Sequence, residues 1–112
     1  MFDKEEILKN LRLELRKGSL VLAVLSQLKN KHYGYSLVET LKSKGLEIEQ
    51  NTLYPLLRRL NTQELLLSTW EVTEPRPRKY YELSENGKII LHELSIDFMR
   101  NNEIISAMLK ED

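Results

Sequence analysis

The stretch Asn51-Thr52-Leu53-Tyr54-Pro55-Leu56-Leu57-Arg58-Arg59-Leu60 constrains the fold of this chain more than any other. Wound as an α-helix, it puts Leu53, Leu56, Leu57 and Leu60 on one side, the i, i+3, i+4, i+7 stripe of a helix packed on a core. The other side carries Asn51, Pro55 and Arg58, flanked by Thr52, Tyr54 and Arg59, and no acid stands among them. An apolar side opposed to a cationic, donor-rich side suits the major groove of duplex DNA, which admits an α-helix and displays acceptors on its base edges. An ordinary amphipathic helix with two solvated arginines would carry the same pattern, so the flanking segments have to decide.

Length and charge bound the alternatives. The 112 residues suffice for one small domain and are too few for two with separate cores. The 17 basic and 17 acidic residues balance, so no global field draws the chain onto nucleic acid. A DNA surface must then be a local basic stripe with the acids placed elsewhere. The absence of cysteine excludes disulfides, thiolate metal sites and cysteine nucleophiles. No apolar run approaches the roughly 20 residues of a membrane span, and the N-terminus, charged from Asp3 onward, is unlike a signal peptide. We expect a cytoplasmic protein with no membrane partner.

In chain order, Asp3 to Lys17 reads as a helix with Asp3 as cap and an apolar stripe of Ile7, Leu8, Leu11 and Leu15. Gly18 is a good left-handed terminator, and Ser19 can cap a second, mostly apolar helix from about Leu20 to Lys29, taken as the core of the domain. Asn30-Lys31-His32 reads as a polar loop with a solvent-exposed histidine, and Tyr33-Gly34-Tyr35 leads into a helix ending near Lys44, with Leu37, Val38 and Leu41 inward. Gly45 and Leu46 fit a Schellman motif closing on Leu41. Leu46-Glu47-Ile48 alternates like a short strand. The organising helix then starts in one of two ways. Either Thr52 is its N-cap, with Pro55 in the first turn, or it starts nearer Gln50 and Pro55 removes an internal bond.

Residues from Thr69 to Val72 suggest a strand, Thr73-Glu74-Pro75-Arg76-Pro77 a turn, and Arg78 to Leu83 the returning strand. Tyr80 is expected to support this hairpin, Tyr81 and Leu83 to face the core, and Trp70 to be a structural residue of the sheet. Ser84 caps a final helix from about Glu85 to Lys110, roughly 40 Å long at 1.5 Å per residue, more than so small a domain can cover. Leu91, Leu94, Phe98, Asn101, Ile105 and Met108 follow a heptad seam, widened by Ile90, Ile104 and Leu109. Such a face calls for a partner, and a second copy is the simplest. Asn101 would either set the register of that pairing or point to water.

Helices, a short strand and a hairpin in this order describe a winged helix-turn-helix, mainly α with a small β-hairpin. Tyr33-Gly34-Tyr35 with Leu37 and Leu41, then Thr52-Leu53-Tyr54-Pro55 with Arg59-Leu60, then Arg78-Lys79-Tyr80-Tyr81-Glu82-Leu83-Ser84 and Gly87, resemble the PadR family of transcriptional regulators. The resemblance runs from about Gly18 to Gly87. The single C-terminal helix and the extra N-terminal helix are similar to the compact branch of that family. It implies a dimer, most often a repressor, with paired C-terminal helices that in some members accept flat hydrophobic compounds. The chain departs from the family pattern at Glu64 and Asn51, where glycine is common, and at Pro75 and Pro77, where the wing tip often carries glycines.

We thus expect one domain over residues 1–112: a winged core (18–83), a C-terminal dimerisation helix (84–112) and an N-terminal helix (3–17) packing on it. The expected function is a homodimeric, DNA-binding transcriptional regulator, a repressor on a roughly palindromic operator. Asn51, Thr52 and Tyr54 would meet bases or adjacent phosphates. Arg58 and Arg59 would reach phosphates or a guanine edge, and Arg76, Arg78 and Lys79 the backbone. Leu8, Leu11, Leu15, Leu91, Leu94, Phe98, Ile105 and Met108 would form the dimer interface. Phe98 is also the candidate contact for a small planar hydrophobic effector. The rival from another class is a winged-helix protein-interaction module without DNA. His32 and His92 lie far apart, and no phosphate loop, nucleophile elbow or metal helix appears. No enzyme activity, metal or cofactor is expected.

Overall fold

The computed structural model describes residues 1–73 and 75–112. Glu74, assigned above to the hairpin turn, lies outside the described residues. The elements run α1 (Lys4–Gln27), β1 (His32–Tyr33), α2 (Gly34–Ser43), α3 (Gln50–Thr62), β2 (Leu66–Glu71), β3 (Arg78–Leu83) and α4 (Glu85–Leu109). The sheet is antiparallel with order β1-β3-β2. This is a winged helix-turn-helix, with α2 and α3 as the helical pair and β2–β3 as the wing.

The N-terminal half differs from the sequence expectation. One continuous helix replaces two, because Gly18 does not take the left-handed conformation. Ser19 caps nothing; its hydroxyl donates to the Arg16 carbonyl within the helix, at 3.0 Å. A helical glycine costs only about 1 kcal/mol relative to alanine, and burial of Val24, Leu25 and Leu28 downstream outweighs that. Asp3 does cap the helix, accepting from the Glu6 amide at 3.1 Å.

The short strand is also displaced. Leu46–Ile48 is not a strand: Leu46 closes the α2 terminus, its amide donating to the Leu41 carbonyl at 2.9 Å past Gly45 at φ 101°. The alternation of Leu46 and Ile48 reflects two side chains packed on the core, without a ladder. The third strand is instead His32–Tyr33, in register with Tyr81 and Tyr80. His32 is accordingly half-buried and shares a 3.0 Å hydrogen bond with the Ser36 hydroxyl. Partial burial disfavours its charged form and lowers its pKa.

Helix α3 starts at Gln50, with Glu49 as a cap that offers no side-chain bond, so Thr52 is not the N-cap. Pro55 therefore lies inside the helix and leaves the Asn51 carbonyl without its intrahelical donor. Asn51 is helical, and Glu64 is the only non-glycine at positive φ (65°) among the described residues. Its φ lets α3 end in a second Schellman turn, where the Leu65 amide donates to the Leu60 carbonyl at 3.0 Å. Strand β2 begins at Leu66, earlier than the β-branched residues suggest, because Leu66 pairs with Leu83 and both are buried.

The core gathers Val24, Leu25 and Leu28 of α1, Leu37 and Leu41 of α2, the four leucines of α3, Leu66, Tyr81 and Leu83 of the sheet, and Leu91 of α4. Helix α4 is fastened to it through Ser84. The Ser84 hydroxyl accepts from the Gly87 amide (3.0 Å) and donates to the Glu64 carbonyl (2.7 Å), while its own amide donates to the Leu65 carbonyl (3.0 Å). A side chain at Gly87 would strike that Leu65 carbonyl, at 2.0 Å from an added Cβ. The extents are 59 × 34 × 24 Å and the radius of gyration is 16.8 Å, against about 13 Å for a compact chain of this length. The outer parts of α1 and α4 project beyond the core and carry the excess.

Candidate nucleic-acid interface

Helix α3 sorts its residues as its period requires. Leu53, Leu56, Leu57 and Leu60 are buried, and Asn51, Thr52, Tyr54, Pro55, Arg58 and Arg59 are all exposed. The exposed side holds two arginines and no carboxylate. It is held rigidly, since turning it inward would expose four leucines, each worth about 1.5–3 kcal/mol of burial.

Beside this helix a cleft of about 770 Å³ opens between α3, the start of α2 and the wing. It brings together Tyr54 and Arg58 of α3 with Arg76, Arg78 and Lys79 of the wing. Asn51, Thr52 and Arg59 stay outside it, on the exposed side of α3; Thr52 lines a separate groove against α1 and α2. Tyr33, Tyr35, Gln50, Trp70 and Pro77 also line the cleft. Sequence reasoning assigned these no role there. The tyrosines were visible as the motif flanking Gly34. Trp70 is 63% exposed and is no packed residue of the sheet, because its side of β2 runs out past the end of the core.

Two local devices orient the cations. Gly34 leaves room for the Tyr54 ring: an added Cβ would lie 2.1 Å from it, so a side chain there would push the ring aside. Tyr54 thereby rests on the start of α2. The Arg78 guanidinium lies 4.4 Å from the Tyr33 ring centroid and the Lys79 ammonium 5.5 Å from that of Tyr81. Tyr33 and Tyr80 meet edge-to-face at 5.4 Å, and Lys31 sits 5.3 Å over Tyr80. Tyr80 thus supports the wing as expected. Such contacts fix a cation while leaving its charge uncompensated. Among the described residues the only ion pair is Lys88–Glu85, away from the cleft. At the wing end, Glu71 accepts from the amide and hydroxyl of Thr73, which holds its pKa low.

The other expected surface is apolar. Leu11, Leu15, Ile105 and Met108 are exposed, Leu8 and Phe98 half-buried. Leu91 belongs to the core of its own chain and Leu94 packs against that core, so the outward stripe of α4 begins beyond them. Among the described residues no cluster of metal-ligating side chains occurs, and no helix is long and apolar enough to cross a membrane.

Residues 21–93, spanning the helical pair, the wing and the start of α4, match the transcriptional regulator PadR-like family. The chain belongs to that family. PadR proteins are transcriptional regulators, not enzymes. A PadR family transcriptional regulator from Eggerthella lenta, known from its crystal structure, is 42% identical, with a TM-score of 0.91 over 96% of each chain. A Mycobacterium tuberculosis transcriptional regulator is 34% identical over 64 residues, which span 57% of this chain and 60% of that protein. Bacillus subtilis PadR, solved in complex with operator DNA, shares the fold at a TM-score of 0.63 and 23% identity, over 79% of this chain and 59% of that one. The PadR match covers both the α3 surface and the wing, while the ends of α1 and α4 lie outside it.

Proposed function

We propose that this PadR-family regulator is a homodimer that binds a roughly palindromic operator and represses transcription from it. The carrying observation is the exposed, acid-free side of α3 standing beside a wing whose cations have no carboxylate partner among the described residues. In a chain of zero net charge, Arg58 and Arg59 of α3 and Arg76, Arg78 and Lys79 of the wing, without an ion-pair partner among the described residues, would supply the local basic stripe that duplex DNA requires. In this reading Asn51, Thr52 and Tyr54 approach base edges or neighbouring phosphates. Arg58 and Arg59 grip phosphates or a guanine edge, and Arg76, Arg78 and Lys79 hold the backbone. The solved operator complex of the Bacillus subtilis relative supports the partner class.

The dimer rests on the projecting ends. Leu8, Leu11 and Leu15 of α1 and Phe98, Ile105 and Met108 of α4 offer apolar surface that the chain itself leaves open, in the spacing of a helix seam. Two such units related by a two-fold axis present two α3 helices, hence the palindrome. A planar hydrophobic effector would enter at Phe98, whose ring the single chain covers only in part. A thermal shift with such a compound, lost in Phe98→Ala, tests that element alone.

The DNA assignment is tested by Arg58→Ala combined with Arg59→Ala, measured by filter binding on duplex DNA across a salt series. Affinity at about 0.1 M salt should fall at least tenfold. The slope of log affinity against log salt should flatten by about 1.8 if both arginines neutralise phosphates. Unchanged affinity at every salt concentration removes these residues from the interface. Absence of duplex binding by the native chain at low salt favours the protein-interaction module instead.

A further inference from the structure

Trp70 is the feature of the cleft that the cationic reading leaves unexplained. It is the chain's only tryptophan, and it stands 63% exposed on the wing. A single exposed apolar side chain is ordinary on a protein surface; what sets Trp70 apart is its place in a cleft lined by cations. Its position is determined by the ladder: Trp70 pairs with Lys79, and alternation puts it on the same face of the sheet as the buried Leu66. That face looks toward α3, so the indole overhangs the cleft from the wing side, with Tyr54 and Arg58 across from it. Val72, 70% exposed, follows just past the end of β2.

We propose that Trp70 is a DNA-contact residue. Its indole packs against the sugar faces of the backbone strand that runs between α3 and the wing, and the flanking cations hold that strand's phosphates. The assignment rests on the DNA reading above and adds an apolar, salt-insensitive contact to it. Three observations favour a polyanion over an uncharged occupant. Four cations line the cleft: Arg58, Arg76, Arg78 and Lys79. No acid lines it. The aromatic groups Tyr33, Tyr35, Tyr54, Trp70 and Tyr81 line the same cleft as those cations, the composition that lets protein follow a strand of phosphates and flat sugars or bases.

Because the tryptophan is single, its emission reports this site alone. The full chain is titrated with a mixed-sequence duplex at low salt, and acrylamide access to the indole is measured with and without DNA. Trp70→Phe and Trp70→Ala are compared by filter binding across a salt series. DNA should protect the indole at least threefold from acrylamide. Trp70→Ala should weaken binding about tenfold, the order expected when most of an indole face is covered by apolar contact, and Trp70→Phe less. The salt slope should match the native chain in both, since no phosphate contact is removed. Circular dichroism and the thermal midpoint of Trp70→Phe guard against a collapsed wing. Duplex binding with the indole still open to acrylamide, or with Trp70→Ala at native affinity, overturns this assignment and spares the DNA reading. Failure of the native chain to bind any duplex overturns both.

Discussion

Helices α3 and α4 carry the same apolar spacing and put it to different ends. Every member of the α3 stripe is buried in its own chain: Leu53, Leu56, Leu57 and Leu60 are all 8% exposed or less. In α4 only Leu91 reaches that state, and Ile104, Ile105 and Met108 stand open farther along. A period of three and four states that a helix has an apolar side; it does not state what covers it. The cover follows from length. Helix α3 is no longer than the core beneath it, while α4 outruns the core by several turns. The polar sides differ in turn: among the described residues the α3 arginines have no ion-pair partner, whereas α4 carries the one described ion pair, Lys88–Glu85, at its anchored end.

The sharpest way to break this comparison is Leu57→Ala. Leu57 is 1% exposed in the centre of the core, so its truncation should cost about 2–5 kcal/mol. Denaturant unfolding followed at two protein concentrations measures it, and the loss should be the same at both. A cost below 1 kcal/mol would mean that α3 is not clamped by its leucines, and its arginine side would lose its fixed orientation.

That contrast also explains what was legible in the sequence. The burial of α3, the exposure of Arg58 and Arg59, and the Ser84 cap of α4 all follow from local spacing and local hydrogen bonds, and each was readable. The two-residue β1 was not. His32 and Tyr33 are a strand only because β3 arrives nearly fifty residues later to pair with them, as His32↔Tyr81 and Tyr33↔Tyr80. The continuity of α1 was hidden by Gly18 and Ser19, whose local preferences say stop and start. Burial of the residues beyond them overrides those preferences at a cost of about 1 kcal/mol. Trp70 was misjudged for a similar reason: a strand pattern gives its face but not where the core beneath that face ends.

On the α4 side the comparison is sharpened by Ile105→Glu combined with Met108→Glu. Both residues are exposed in the single chain, at 52% and 60%, so the fold of that chain has nothing to lose. If the stripe pairs with a second copy, the variant must desolvate two carboxylates on each side of the interface. Dimer dissociation should strengthen by about two orders of magnitude or more. Sedimentation at micromolar concentration should show dimer for the native chain and monomer for the variant, with helical content retained and the concentration dependence of the thermal midpoint gone. A native chain that sediments as a monomer refutes the pairing outright.

The smallest effect probes the joint that connects the two regions. Glu64 sits at φ 65° to end α3, and its carbonyl accepts from Ser84 at the head of α4. The left-handed conformation costs a residue with a side chain about 1 kcal/mol, and glycine essentially nothing. The gain from Glu64→Gly is reduced by the extra freedom glycine gives the unfolded chain. A net stabilisation of about 0.5 kcal/mol remains, or roughly 2–4 °C in the thermal midpoint. DNA affinity should not change, because the substitution leaves the Glu64 and Ser84 backbone contacts in place. A fall in the midpoint would mean that the Glu64 side chain is engaged elsewhere. A gain in stability accompanied by weaker DNA binding would be more informative: the strain at this turn would then be what sets the angle between the α3 surface and the helix proposed to pair with a second copy.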